Sequence, residues 1–218
     1  MGIGLLIWFF FFSNFLKIEH IEVEGTADET IKSSFDQFLG KNILLLDTGE
    51  IQKLIQEKQP IAYKIEIRRG LPDTLKIKIE NKTPVLIWQS QNKSYFIAAD
   101  GYVLGEMQDP ASSNLIKVMD QKNIAVKTET QILSPFFIDF VTQAIGKIKD
   151  ESGLNPLAVD VQETTFQINV KTANFEIILD TTRDLDNQIK ALKTVLDRHK
   201  NEITKYVDLR VNGKAYWQ

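Results

Sequence analysis

Arg68-Arg-Gly-Leu-Pro-Asp-Thr-Leu-Lys-Ile-Lys-Ile-Glu-Asn-Lys-Thr-Pro-Val-Leu-Ile-Trp88 closes one small domain and opens another. Upstream of its turn, Tyr63, Ile65 and Ile67 alternate with Lys64, Glu66 and Arg68; downstream, Leu75, Ile77 and Ile79 alternate with Lys76, Lys78 and Glu80. A period of two predicts two half-buried strands. Between them Gly70 permits positive φ and Pro72 presets φ for a tight reversal, so the strands should be antiparallel neighbours. Pro84 should end the second.

Toward the N-terminus, Ile21–Gly25 reads as a short strand closed by its glycine. Thr26 and Glu29 have the spacing of a capping box. Ile31, Phe35, Phe38 and Leu39 then make one apolar helical stripe, with Gly40 as its stop. A second helix starting near Asp47 or Thr48 carries Ile51, Leu54 and Ile55 on one face and ends before Pro60. Strand, helix, helix, strand, strand is the order that results, and two helices on one face of a three-stranded sheet bury both stripes. Earlier still, Gly2–Leu16 is uncharged and apolar all round. With Met1 its sixteen residues reach only about 24 Å, short of the roughly 30 Å hydrocarbon core, so the segment reads as a truncated membrane span. Two other readings stay open: a signal peptide, against which stand the missing basic n-region and a poor cleavage site around Ser13, and a buried core helix.

Toward the C-terminus the pattern turns mainly β. Val85–Trp88, Ser94–Ala98, Tyr102–Leu104 and Leu115–Met119 are short apolar runs, and Asp100-Gly101 is a hairpin signal. Trp88 reads as a core residue. Asp120–Thr130 is polar and irregular. Ser134-Pro135 opens a helix, with Phe137, Phe140, Val141, Ala144, Ile145 and Ile148 as its buried face and Gly153 as its stop. Leu157–Val161, Thr165–Val170 and Phe175–Leu179 follow as strands. Asp184 caps a last helix with Leu185, Ile189, Leu192 and Leu196 inward. The chain finishes with a strand over Tyr206–Val211 and an aromatic tail through Tyr216 and Trp217.

Composition narrows the chemistry. A net charge of −3 leaves no basic excess for a general nucleic-acid binder. No cysteine is present, which removes disulfides, thiolate metal sites and cysteine nucleophiles. His20 and His199 lie in different predicted domains with no ligand-like spacing, so no metal site is expected. There is no glycine-rich phosphate loop, nucleophile elbow or zinc-protease helix. Acidic pairs such as Asp150-Glu151 and Asp184/Asp186 sit at predicted helix ends, where capping and dipole effects act, rather than converging on one site. No catalytic residue, cofactor or small-molecule substrate is expected.

Arg69-x-x-Pro72-x-Thr74-Leu75-x-Ile77-x-Ile79-Glu80-x-x-x-Pro84-Val85-x-x-Trp88, followed by Tyr95-Phe96-Ile97 and Asp100-Gly101-Tyr102-Val103, resembles the join between the POTRA domain and the β domain of the bacterial FtsQ/DivIB division-protein family. The order of features along the whole chain fits that family. The resemblance implies an α+β protein: a membrane helix over residues 1–16, a POTRA domain (β-α-α-β-β) over 17–83, and a mainly antiparallel β domain with two surface helices over 84–218. It also implies a single pass through the bacterial cell membrane, with a cytoplasmic N-terminus and an extracytoplasmic bulk. The implied function is that of a non-catalytic scaffold that joins FtsL-like and FtsB/DivIC-like partners in the divisome. A partner strand would add to the exposed edge of the last strand, at Tyr206, Val207, Leu209, Arg210 and Val211, with Ala215, Tyr216 and Trp217 beside it. Arg210 would meet an acidic partner or pair with Asp208. Two other classes stay open: a POTRA-bearing envelope assembly or export factor, and an envelope enzyme, which would need carboxylates converging in a cleft.

Overall fold

The computed structural model describes residues 14–109 and 113–218, which divide into two compact units between Lys82 and Thr83. In the first, β1 (His20–Gly25), α1 (Glu29–Ser34), α2 (Thr48–Lys58), β2 (Ala62–Gly70) and β3 (Thr74–Asn81) follow in order. The sheet order is β1-β3-β2. β2 and β3 form the antiparallel hairpin, with Gly70 opposite Thr74, and β1 lies parallel to β3, with Val23 opposite Ile77. Leu75, Ile77 and Ile79 point from β3 into a core shared with Ile31, Phe35, Phe38, Ile51 and Ile55. The other face of the sheet is wet. There Lys64 and Arg68 both pair with Glu66, at 2.9 and 2.8 Å, and Lys76 pairs with Glu22 at 2.7 Å. The hydrogen bond from Lys64, and then its charge, hold the Glu66 carboxyl below the usual carboxylate range.

Four local expectations change in this unit. Thr26 does not cap a helix: its hydroxyl donates to the Ile79 carbonyl and accepts from the Asn81 amide, locking the end of β1 to β3, while Asp28 takes the cap position. The first helix gives way at Phe35 to a 3-10 turn, and this rotates Leu39 out to solvent. Tyr63 is exposed because the β2–β3 register shifts between Ala62 and Lys64. The expected membrane helix falls on residues of which 1–13 lie outside the described part. Its last residue, Leu16, ends a 3-10 turn and is buried in this unit's core. Among the described residues no helix is long and apolar enough to cross a membrane.

The second unit is built on one nine-stranded sheet. Its strands are β4 (Pro84–Ser90), β5 (Lys93–Ala98), β6 (Val103–Met107), β7 (Ile116–Asp120), β8 (Ala158–Val161), β9 (Gln167–Lys171), β10 (Glu176–Asp180), β11 (Tyr206–Asp208) and β12 (Tyr216–Trp217). Their order is β12-β11-β10-β9-β8-β7-β4-β5-β6. Five neighbour pairs are antiparallel, and three are parallel: β4–β7, β7–β8 and β10–β11. Each strand that joins in parallel needs a long return, and two of these returns are the helices α3 (Pro135–Ser152) and α4 (Leu185–His199).

Both helices begin where the caps predict. The Ser134 hydroxyl accepts from the Phe137 amide at 3.2 Å, and the Asp184 carboxylate accepts from the Asn187 amide at 2.8 Å. They pack against each other and onto the sheet, so that Phe137, Val141, Ile189 and Leu192 share one core with Leu86, Trp88, Ile168 and Ile177. At the Asp100-Gly101 turn the backbone of Gly101 has φ +80°, and a Cβ there would lie 1.9 Å from the Leu133 carbonyl oxygen. Only glycine lets the turn close against the segment that leads into α3. The strand expected over Thr165–Val170 begins only at Gln167, so an inward place for Phe166, in step with Ile168 and Val170, is not realised. Phe166 precedes the first residue of β9 and is exposed, while Ile168 and Val170 are buried.

Candidate partner-binding site

The expected strand Tyr206–Val211 is shorter in the structure, and its outer edge is taken. β11 stops at Asp208 and lies between β10, to which it is parallel, and β12, to which it is antiparallel. Val207 and Leu209 are core residues, and the Leu209 amide donates inward to the Ile178 carbonyl at 3.0 Å. Tyr206 is half-buried; Arg210 and Val211 are exposed. Arg210 turns back on its own strand. Its guanidinium forks onto Asp208, with bonds of 2.9 and 2.6 Å, and reaches Gln167 Oε1 at 2.6 Å. Burial pushes the Asp208 carboxyl up, but the hydrogen bonds from Arg210 and its charge together outweigh burial and hold it below its ordinary value.

The edge that remains open belongs to the tail. Val207 pairs with Trp217 and Asp208 with Tyr216, and one residue further Tyr206 and Gln218 exchange both backbone bonds, at 3.2 and 3.3 Å. In an antiparallel ladder bonded and non-bonded pairs alternate. The Val207–Trp217 pair is therefore non-bonded, and the amide and carbonyl of Trp217, like those of Ala215, face away from β11. Trp217 is anchored by its ring, which stacks on the His199 imidazole with centroids 4.5 Å apart. Ala215 is half-buried against the core, and Tyr216 is half exposed.

Beside this edge a groove of about 520 Å³ runs between α4 and the tail. Lys190, Thr194 and Arg198 line its helix side, and Lys214, Ala215 and Trp217 its tail side. It continues into a second depression of about 260 Å³ through Asn187, Ala191, Asn212 and Gly213. The main groove is lined by Lys190, Arg198, Lys214 and His199, and no carboxylate is among its lining residues. Its lining side chains therefore carry positive charge from Lys190, Arg198 and Lys214. The groove's helix side went unread in the sequence, although Lys190, Thr194 and Arg198 recur every four residues on the polar side of α4, as one helix face requires. The structure thus brings Ala215, Tyr216 and Trp217 to an open sheet edge beside cations and turns Val207 and Leu209 inward.

One further cluster was not foreseen. The amides of Glu19 and His20 both donate to the Asp73 carbonyl, and this pairing gathers the three side chains so that their ligand atoms lie within 4.8 Å of one another. Glu19 and His20 are exposed, and the group offers a metal no enclosed cage.

Comparison with known proteins bears on this arrangement as a whole. The family model for POTRA domains of the FtsQ type matches residues 16–81. Cell division protein FtsQ of Rickettsia bellii is 30% identical over 205 residues, which cover 92% of this chain and 71% of the relative. The chain belongs to the FtsQ/DivIB family of cell-division proteins. Cell division protein DivIB of Clostridium tetani is 23% identical over 223 residues, 97% of this chain and 82% of the relative. FtsQ of Rickettsia conorii is 25% identical over 205 residues, 92% and 71% of the two chains. The first unit is thus an FtsQ-type POTRA domain, and the similarity to FtsQ and DivIB continues through the second unit, where the open edge lies.

Proposed function

We propose that this FtsQ/DivIB protein is a non-catalytic divisome scaffold. It is held at the cell membrane by its N-terminal apolar segment, with both units outside the cytoplasm, and it binds FtsL-like and FtsB/DivIC-like partners through the second unit. The observation that carries the reading is the open backbone edge at Ala215–Trp217 beside a basic groove. A partner strand laid along this edge satisfies the outward amides and carbonyls. Acidic side chains next to that strand meet Lys190, Arg198 and Lys214, which steer encounter and set register. Tyr216 and Trp217 supply large rigid apolar contact at the centre.

This places the partner one strand further out than Tyr206–Val211, because the tail already occupies the edge of β11. The test is a binding titration of the full chain against the extracytoplasmic segments of the FtsL-like and FtsB/DivIC-like proteins of the same genome. Ala215→Pro removes one outward donor and is compatible with an edge position, whereas Ala215→Val keeps the donor. Binding that survives Ala215→Val and drops at least tenfold with Ala215→Pro supports strand addition at the tail. Equal binding by both folded variants overturns it.

A further inference from the structure

β3 runs lengthwise through the POTRA unit, and its ends mark two poles about 23 Å apart at 3.3 Å per residue. Near Asn81 lie Thr26 and Gln59. Near Thr74 three segments converge. The hairpin tip carries Leu71, and the amides of Glu19 and His20 donate to its Asp73 carbonyl. The chain just before β1 bonds to the loop after Phe38, Ile18 with Lys41 and Leu16 with Ile43, and Arg69 donates to the Leu46 carbonyl. Exposed large apolar side chains collect at this pole: Phe15 60%, Leu39 45%, Leu44 43%, Leu45 63% and Leu71 62%. Among the described residues of the unit the only other one so exposed is Tyr63, near the opposite pole. Scattered exposure needs no explanation, but five such side chains from separate segments at one pole make a patch.

The sequence says what covers it. Phe15 follows the uncharged run Gly2–Phe12 with only Ser13 and Asn14 between. Two residues span at most about 10 Å to Phe15. If the run lies in lipid, this pole is tethered within about 10 Å of the bilayer surface, whereas the other pole, about 23 Å along β3, has no such tether. We propose that the Thr74 pole of the POTRA unit is seated in the interfacial layer of the bilayer, with Phe15, Leu44, Leu45 and Leu71 at the headgroup–acyl boundary. The inference rests on the membrane-anchor reading. Lys17 and Lys41 share the pole with Glu19 and Asp73, so apolar contact rather than charge holds it, and anionic lipid is not required.

The chain contains no cysteine, so a single introduced one carries a probe without competition. Full chain bearing a fluorophore at Leu45→Cys or at Lys58→Cys is reconstituted in phosphatidylcholine vesicles with a nitroxide quencher attached near the headgroup. The expected result is quenching at least threefold stronger at position 45 than at 58, unchanged between low and high salt. Adding Leu44→Ser and Leu71→Ser to the position-45 protein, with circular dichroism unchanged, should remove most of that difference. Equal quenching at 45 and 58 in protein that floats with the vesicles overturns the seated pole and leaves the anchor intact. Failure to float overturns the anchor itself.

Discussion

The Trp217 indole lies on the His199 imidazole, their planes 27° from parallel, so the last turn of α4 clamps the tail that completes the sheet. Three amides, those of Thr204, Lys205 and Tyr206, donate to the Gln218 carbonyl just beyond it. Trp217→Ala should therefore cost about 1–2 kcal/mol, the loss of one stacked, half-buried aromatic. Amide exchange should speed up at Thr204–Tyr206 before it does in β8 or β9. Urea unfolding and hydrogen exchange check the two parts separately.

Asp208 and Arg210 predict a pH dependence. The folded Asp208 carboxyl titrates below its ordinary value, so its contribution is present above the unfolded carboxylate pKa and is lost as pH falls through the folded one. Arg210→Ala removes the guanidinium bonds and charge but keeps the residue-210 amide on Asp208, so the downward shift shrinks against burial. At pH 7 the variant should be less stable by about 1 kcal/mol, a charge-assisted bond discounted for the exposure of Arg210. That gap should close in acid, below the carboxylate range. A gap that stays constant from pH 7 to acid would refute the assignment.

Gln59 is a buried side chain that ties three strands of chain together. Its amide group donates to the Thr26 carbonyl at 2.9 Å and to Asn81 Oδ1 at 2.5 Å, and its oxygen accepts from the Asp28 amide at 3.3 Å. Gln59→Leu leaves all three partners unmet and should destabilise the POTRA unit by about 2–3 kcal/mol. Hydrogen exchange should register the loss in β1 and β3 and leave β4 and β5 unchanged.

Gly101→Ala is expected to be the most damaging small substitution in the second unit. The added methyl meets a backbone carbonyl that cannot rotate away, and the positive φ adds strain. A loss of about 2–4 kcal/mol is expected, read as a fall in the thermal midpoint.

Asp160 is almost wholly buried, and among the described residues its charged partner is Lys171 Nζ at 2.5 Å. Lys171→Met removes that partner and should cost about 3 kcal/mol at neutral pH. Pairing it with Asp160→Leu should recover most of the loss.

What could be read from the sequence was what is local. The β2–β3 hairpin follows from four turn residues and six alternating ones, and α3 and α4 start at Ser134 and Asp184 because a cap is decided within three residues. Thr26 was misread because Ile79 and Asn81, more than fifty positions away, offered its hydroxyl better partners than the nearby helix did. The insertion of β7 between β4 and β8 left no mark, since parallel pairing depends on long returns rather than adjacent turns. The candidate site was half legible. Its aromatic residues stood out, but a two-residue strand is too short for periodicity, so the folding back of Tyr216 and Trp217 onto Tyr206–Asp208 was not visible. Nor was the meeting of α4 with Lys214.

The brevity of β12 has one more consequence. Two outward-facing residues offer a newcomer only a few backbone hydrogen bonds, each worth about 1 kcal/mol net. Association itself forfeits several kcal/mol of translational and rotational freedom. An arbitrary extended peptide, or a strand of another copy of this chain, therefore does not gain enough from the backbone alone to remain. On the proposed strand-addition mode, only a sequence that also fills the groove crosses the threshold, so the sheet would discriminate by being too short to be sticky.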